Sequence, residues 1–172
     1  MSDNTNSTKI KDLKKKIVYI DMDGVLVDLT SNINKWFKDH PHLYERYKEN
    51  PDHIAGIFRN PPPIKGAIEA VKKLAESGKY ELYIATSAPW GNPESLTDKR
   101  YWIENHFGEL FHKRIVTTHQ KNMLMGDYLI DDRKKNGAGE FKGELLQYGL
   151  DWEGDGTPNE YPTWESILQK LL

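Results

Sequence analysis

Residues 17–26 read IVYIDMDGVL, and the break after Ile20 decides the fold. Four consecutive strand-forming positions, Ile17 to Ile20, carry no polar alternation. Such a run suits a strand covered on both faces, as in the parallel sheet of an α/β domain. It stops at Asp21, and Asp23 and Gly24 follow at once. In open α/β sheets reactive groups collect beyond the carboxyl ends of the strands, so Asp21 and Asp23 stand where chemistry is expected.

Working outward, comparable runs recur at Tyr80–Ala85, around Arg114–Val116, at Tyr128–Ile130 and at Glu144–Tyr148. Between them lie helix-period segments, Lys65–Glu76 and Thr97–Phe107, the first closed by Ser77-Gly78. Strands alternating with helices predict βαβ units and an α/β core with a mainly parallel sheet. Residues 31–60 break the rhythm: they are rich in Trp, Tyr, His and Asn, have helical spacing around Trp36-Phe37 and Tyr44–Tyr47, and end at Pro61-Pro62-Pro63. This stretch is read as a small helical cap, with 16–30 and 61–172 forming the core. Residues 1–15, polar and then lysine-rich, are read as a flexible basic tail.

The chain has 172 residues, 24 basic against 26 acidic and no cysteine. Near-neutral charge argues against a nucleic-acid polymer as partner. The missing cysteine removes disulfide scaffolds, thiol nucleophiles and zinc–thiolate sites. No apolar run approaches the roughly 18 residues of a membrane span, and no signal-peptide core comes after the polar start, so a cytoplasmic domain with no membrane partner is expected. The sequence is compatible with a homodimer. Five Trp, nine Tyr and five Phe supply enough burial for a core despite an apolar content of 37%.

The residues just beyond the strands form one set: Asp21, Asp23 and Gly24 after the first, Thr86-Ser87 after the second, Lys121 near the third, Asp131-Asp132 after the fourth. Taken singly, each piece has a plain structural use, since Asp pairs cap helices, Thr-Ser turns are ordinary and lysines face solvent. Taken jointly, the acids repel one another and call for a cation, for which all-oxygen ligands favour Mg²⁺.

These residues resemble the haloacid-dehalogenase-like (HAD) superfamily, whose four motifs correspond to DMDGVL (21–26), Thr86 in IATS, Lys121 and Asp131-Asp132. The resemblance implies a three-layer, Rossmann-like α/β core and a phosphohydrolase with Asp21 as nucleophile, forming an aspartyl-phosphate, and Asp23 as general acid and then base. It implies Mg²⁺ held by Asp21, the Asp23 carbonyl, Asp131 and Asp132, and phosphate oxygens bound by Thr86 and Lys121. An acid at position 23 fits phosphoryl transfer rather than dehalogenation.

A closer resemblance is to the 5′(3′)-deoxyribonucleotidases, carried by DMDGVLVD (21–28), FRNPPPIKGA (58–67), DKRYWIENHFG (98–108) and QKNMLMGDYLIDDR (120–133). It implies a (deoxy)nucleoside monophosphate as substrate, with Ser87 and Lys99 at the phosphate, Leu29 and Phe58 lining the base pocket, and Gly24, which allows close backbone approach, among the substrate-binding residues. Lys65, His119, Leu29 and the Ala88-Pro89-Trp90 turn depart from that pattern where base or sugar is read. Two other readings stay open: a phosphatase for another small phosphorylated metabolite such as a sugar phosphate, and a catalytically silent nucleotide-binding module. The stretch 151–156 (DWEGDG) imitates a calcium loop, but Pro162 stands where its bidentate Glu belongs, so it is read as a turn.

Overall fold

A computed structural model of the protein describes residues 14–172. Most of the tail read over 1–15, its first 13 residues, lies outside the described residues. Among these residues five strands form one parallel sheet: β1 (Lys16–Ile20), β2 (Tyr80–Thr86), β3 (Ile115–Thr117), β4 (Tyr128–Asp131) and β5 (Glu144–Gln147), in the order β3-β2-β1-β4-β5. Five helices accompany them: α1 (Leu29–Asp39), α2 (Tyr44–Tyr47), α3 (Ala67–Glu76), α4 (Ser95–Phe107) and α5 (Trp164–Leu171). The five strand assignments made from the sequence stand, shifted by a residue or so at their ends.

The run at 17–20 behaves as its composition dictates. Val18 and Ile20 point to one face of the sheet, Tyr19 to the other, and all three are buried. On the first face they meet Leu82, Ile84, Ile130 and Leu146 under α3, α4 and α5. Helix α3 buries Ala67, Ala70, Val71 and Leu74, the spacing of a single helical stripe. Helix α5 starts at a Thr163 capping box and buries Trp164, Ile167 and Leu171 against the same core. The opposite face is thinner. Tyr19, Leu129 and Ala85 are covered by Leu124, Ala138 and Phe141 from the connections after β3 and β4, which contain only 3₁₀ turns.

The faces change hands because the chain reverses direction across the sheet. It runs from β1 outward to β3, then returns to place β4 on the other side of β1. The switch point lies between β1 and β4, where ligand crevices form in open α/β sheets.

Residues 29–58 leave the sheet and return through a narrow neck. Asp28 N donates to Pro62 O at 2.9 Å and Ile64 N to Leu26 O at 2.8 Å. Within the excursion Ile54, Ile57 and Phe58 are buried against Leu29, Ile33, Trp36, Phe37 and Tyr47. The aromatics there pack on each other: Trp36 meets Phe37 and Tyr47 edge-on, and Phe37 meets Tyr44. Their helical spacing therefore builds a local apolar cluster. Residues 151–156 form a turn, in which Asp151 accepts from Gly154 N.

Candidate active site

Strand β1 ends at Ile20, and the chain then coils into a tight loop in which Leu26 N and Val27 N both donate to Met22 O. This loop places Asp21 and Asp23 at the carboxyl edge of the sheet. Gly24 completes it with φ +76°, a left-handed conformation that suits glycine. A Cβ at this position would run into the Asp132 carboxylate, so the glycine also allows β4's acids to approach β1's loop.

Asp131 ends β4 beside Asp21, because Asp21 N bonds Ile130 O at 2.9 Å. Carboxylate oxygens of Asp21, Asp131 and Asp132 lie within 4.8 Å of one another, and all three residues are buried. Lys121, itself buried, reaches in with Nζ 2.6 Å from Asp131 Oδ2 and 3.1 Å from Asp21 Oδ1. Asp131 Oδ1 accepts from Arg133 N at 3.0 Å, and Arg133 Nε stands 3.6 Å from Asp132 Oδ2.

Crowding and burial shift these groups. Burial first, then the charge of Asp21, pushes the Asp131 carboxyl up to about 6 against the pull of Lys121. Burial, then the charges of Asp21 and Asp131, pushes Asp132 up to about 7. The Lys121 ammonium is held above its usual range, because Asp21 and Asp131 outweigh its own desolvation. Three hard oxygen donors at this spacing, with charge in excess of their ion pairs, fit a hard divalent cation such as Mg²⁺.

Asp23 sits in a different environment. Its Oδ2 accepts from Lys99 Nζ at 2.7 Å, while its Oδ1 is buried without a partner. Burial raises its pKa, Lys99 opposes the rise and Asp21 adds to it. Lys99 projects from α4 and gives its other hydrogens to Thr86 Oγ1 at 2.9 Å and Ser87 O at 2.7 Å. Its last side faces the ring of Phe58, 4.8 Å from the centroid.

A cavity of about 410 Å³ opens over this cluster. Of the residues picked out in the sequence, Asp21, Asp23, Leu29, Phe58, Ser87, Lys121, Asp131 and Asp132 line it. Thr86, Lys99 and Gly24 stand behind its wall, with Thr86 and Lys99 buried and all three Lys99 hydrogens taken by protein acceptors. The lining also includes Asp52, His119, Arg133 and Asn136. Arg133 was not among the residues picked out in the sequence, although its place directly after the acid pair was an available signal. Asn136 had no sequence signal, since it is placed by a positive φ and by Nδ2 donating to Ser87 Oγ at 3.2 Å.

Comparison with known proteins finds relatives over most of the chain. The family model for 5′ nucleotidase, deoxy (Pyrimidine), cytosolic type C protein matches residues 15–149. A Vibrio phage KVP40 protein assigned as a 5′(3′)-deoxyribonucleotidase is 44% identical over 164 residues, covering 95% of this chain and 88% of that protein. The 5′(3′)-deoxyribonucleotidase of Bacillus subtilis is 31% identical over 179 residues, 92% of this chain and 99% of that one. The human cytosolic-type enzyme is 29% identical over 175 residues, 88% and 78%. Among solved structures, a haloacid dehalogenase-like hydrolase of Xanthomonas campestris superposes with a TM-score of 0.59 at 12% identity, covering 93% of this chain and 91% of that one. A magnesium-bound HAD hydrolase of B. subtilis gives 0.54 at 11%, covering 92% and 99%. No helix among the described residues is long and apolar enough to cross a membrane. Matched by that family model over most of its length and built on a HAD-like fold, the chain belongs to the 5′ nucleotidase, deoxy (Pyrimidine), cytosolic type C family, and is a phosphoric monoester hydrolase.

Proposed function

We propose that the protein is a Mg²⁺-dependent phosphatase that converts (deoxy)nucleoside monophosphates to nucleoside and phosphate through an aspartyl-phosphate. The observation that carries this reading is the convergence of the Asp21, Asp131 and Asp132 oxygens under a cavity that Asp23 also lines. Residues 16–30 and 61–172 act as the catalytic core, and residues 31–60 as a small cap that contributes Ile33, Pro51, Asp52 and Phe58 to the roof.

In the first step an Asp21 carboxylate oxygen attacks phosphorus, and the bond from phosphorus to the ester oxygen breaks. Asp23 gives its proton to the departing alkoxide, a role that its raised pKa supports, because burial favours the protonated acid. Water then attacks the phosphorus of the acyl phosphate. Asp23, now ionised, takes its proton, and Asp21 is released with inorganic phosphate. Lys99 keeps Asp23 aimed at the ester oxygen and Thr86 in place, while Lys121 orients Asp21 and offers positive charge to the equatorial phosphate oxygens. Mg²⁺, held by the carboxylates of Asp21, Asp131 and Asp132 with the Asp23 carbonyl, supplies charge that offsets repulsion between nucleophile and phosphate.

The test is phosphate release from dUMP, dTMP, dCMP, UMP and a panel of sugar phosphates, with Mg²⁺ and with EDTA. Base-bearing esters should be preferred, and the Asp21→Asn variant should be slower by about 10⁴-fold or more, as for other covalent nucleophiles. Wild-type rates in the variant would remove the covalent mechanism. Preference for sugar phosphates would remove the nucleotide, and nucleotide binding without turnover in the wild type would leave a silent module.

A further inference from the structure

Beyond the acids of the metal cluster and Asp23, the cavity wall holds one more. Asp52 lines it next to Pro51, half-buried on the 3₁₀ turn Pro51–His53. Among the described residues its carboxylate has no hydrogen-bond or ion-pair partner, and the residue bonds through its main-chain carbonyl, which accepts from Asn92 Nδ2 at 3.0 Å. The backbone is therefore fixed while the carboxylate is uncommitted.

That backbone is tied to the loop that follows β2. Asn92 is buried and gives its second amide hydrogen to Ile54 O at 3.1 Å. Next to it, Gly91 lies so close to the His53 ring that a Cβ would sit 2.5 Å from it. The 51–54 turn is thus interlocked with the loop that begins at Ser87, itself a lining residue. Asp52 is held at a set position relative to the cluster below.

A further free carboxylate beside the phosphate would repel the dianion, so Asp52 meets the organic part of the ester. An ionised carboxylate only accepts hydrogen bonds, and it therefore wants an N–H or O–H there. The other roof residues, Leu29, Ile33, Phe58 and Pro89, offer apolar contact, which distinguishes rings of similar size poorly. A carbonyl turned toward Asp52 sets acceptor against acceptor, whereas an amine or hydroxyl gains a charge-assisted bond.

We infer that Asp52 is a specificity-determining residue, selecting nucleoside monophosphates whose nucleoside presents a hydrogen-bond donor to this wall. The inference rests on the nucleotidase reading of the site. The donor is the exocyclic amine of cytosine, the ring N3–H of uracil or the ribose 2′-hydroxyl, and the choice of substrates separates the three.

The experiment measures kcat/KM for dCMP, dUMP, CMP and UMP with wild type, Asp52→Ala and Asp52→Asn. Because the Asp52 side chain bonds to nothing in the protein, both variants should keep the fold. A wild-type preference for dCMP over dUMP that falls about tenfold in Asp52→Ala, the equivalent of about 1.4 kcal/mol, assigns the donor to the base amine. A preference for dUMP over dCMP that falls likewise assigns it to the ring N3–H, and a preference for UMP over dUMP that falls assigns it to the 2′-hydroxyl. In Asp52→Asn the amide can also donate, so the disfavoured substrate should gain relative to the favoured one. Equal changes on all four substrates, or none in either variant, overturn the assignment. Wild-type failure on all four, with sugar phosphates hydrolysed, overturns instead the nucleotidase reading on which it rests.

Discussion

Gly24 joins two demands at one residue: a left-handed backbone and an empty Cβ position beside the Asp132 carboxylate. Alanine meets neither. Gly24→Ala should lose about 1–3 kcal/mol of stability from backbone strain, read by urea denaturation. It should also weaken Mg²⁺ binding by about 10–100-fold, read by metal titration, because it displaces an acid of the cluster. An unchanged metal affinity would separate Asp132 from the cation site. The acids themselves were legible in the sequence because each stands at the end of a strand run. What surrounds Lys99 was not legible, since its acceptors at 23, 86 and 87 come from two other strand ends. Its motif position suggests a phosphate contact, whereas in the fold its hydrogens are already taken by the protein. The same limit applies to Asp52, whose setting depends on a distant asparagine.

Helix α4 does two jobs with one stripe of side chains. It carries Lys99 into the site, and one turn further along it buries Trp102, whose Nε1 donates to Pro61 O at 2.8 Å where the chain returns from residues 29–58. Trp102→Phe keeps an aromatic ring but leaves that carbonyl unpaired. The expected cost is about 1–3 kcal/mol in urea denaturation, with kcat changed by no more than a few-fold. A large fall in kcat with stability intact would show instead that α4 transmits its anchor to Lys99. Strands were the easiest elements to read because unbroken apolar runs of this length have few other uses. Helix α5 is legible only in part: Thr163 is a fair cap and Trp164, Ile167 and Leu171 fall on one face, but eight residues give periodicity little to work with. The thin second face was not legible, because 3₁₀ turns and connecting loops carry no period at all.

Across the molecule, four acids of the site face two buried lysines, and the balance depends on pH. Asp131 and Asp132 titrate near 6 and 7 in the fold, against about 4 in an unfolded chain. Their folded pKa values are raised, so the stability that they contribute is fully present below about 4 and is lost as pH rises through 6 to 7. A cation bound at the cluster would replace those protons. The rise in melting temperature on adding Mg²⁺ should therefore be larger at pH 8 than at pH 5.5, where protons compete for the same oxygens. Equal shifts at the two pH values would mean that the metal binds elsewhere.

The sheet register has a consequence for how such a protein can diverge. Ile84, Ile20, Ile130 and Leu146 form one rung across four strands, and Asp21 and Asp131 are the next residues beyond it on neighbouring strands. A two-residue slip of either strand would carry its acid about 7 Å away. The spacing of the carboxylates is thus guarded by wholly apolar neighbours, while the roof is assembled from residues 29–58 and the loop after β2. A lineage can rewrite what the roof admits one substitution at a time and leave the rung alone, but a change at Ile20 endangers the fold and the acid geometry together.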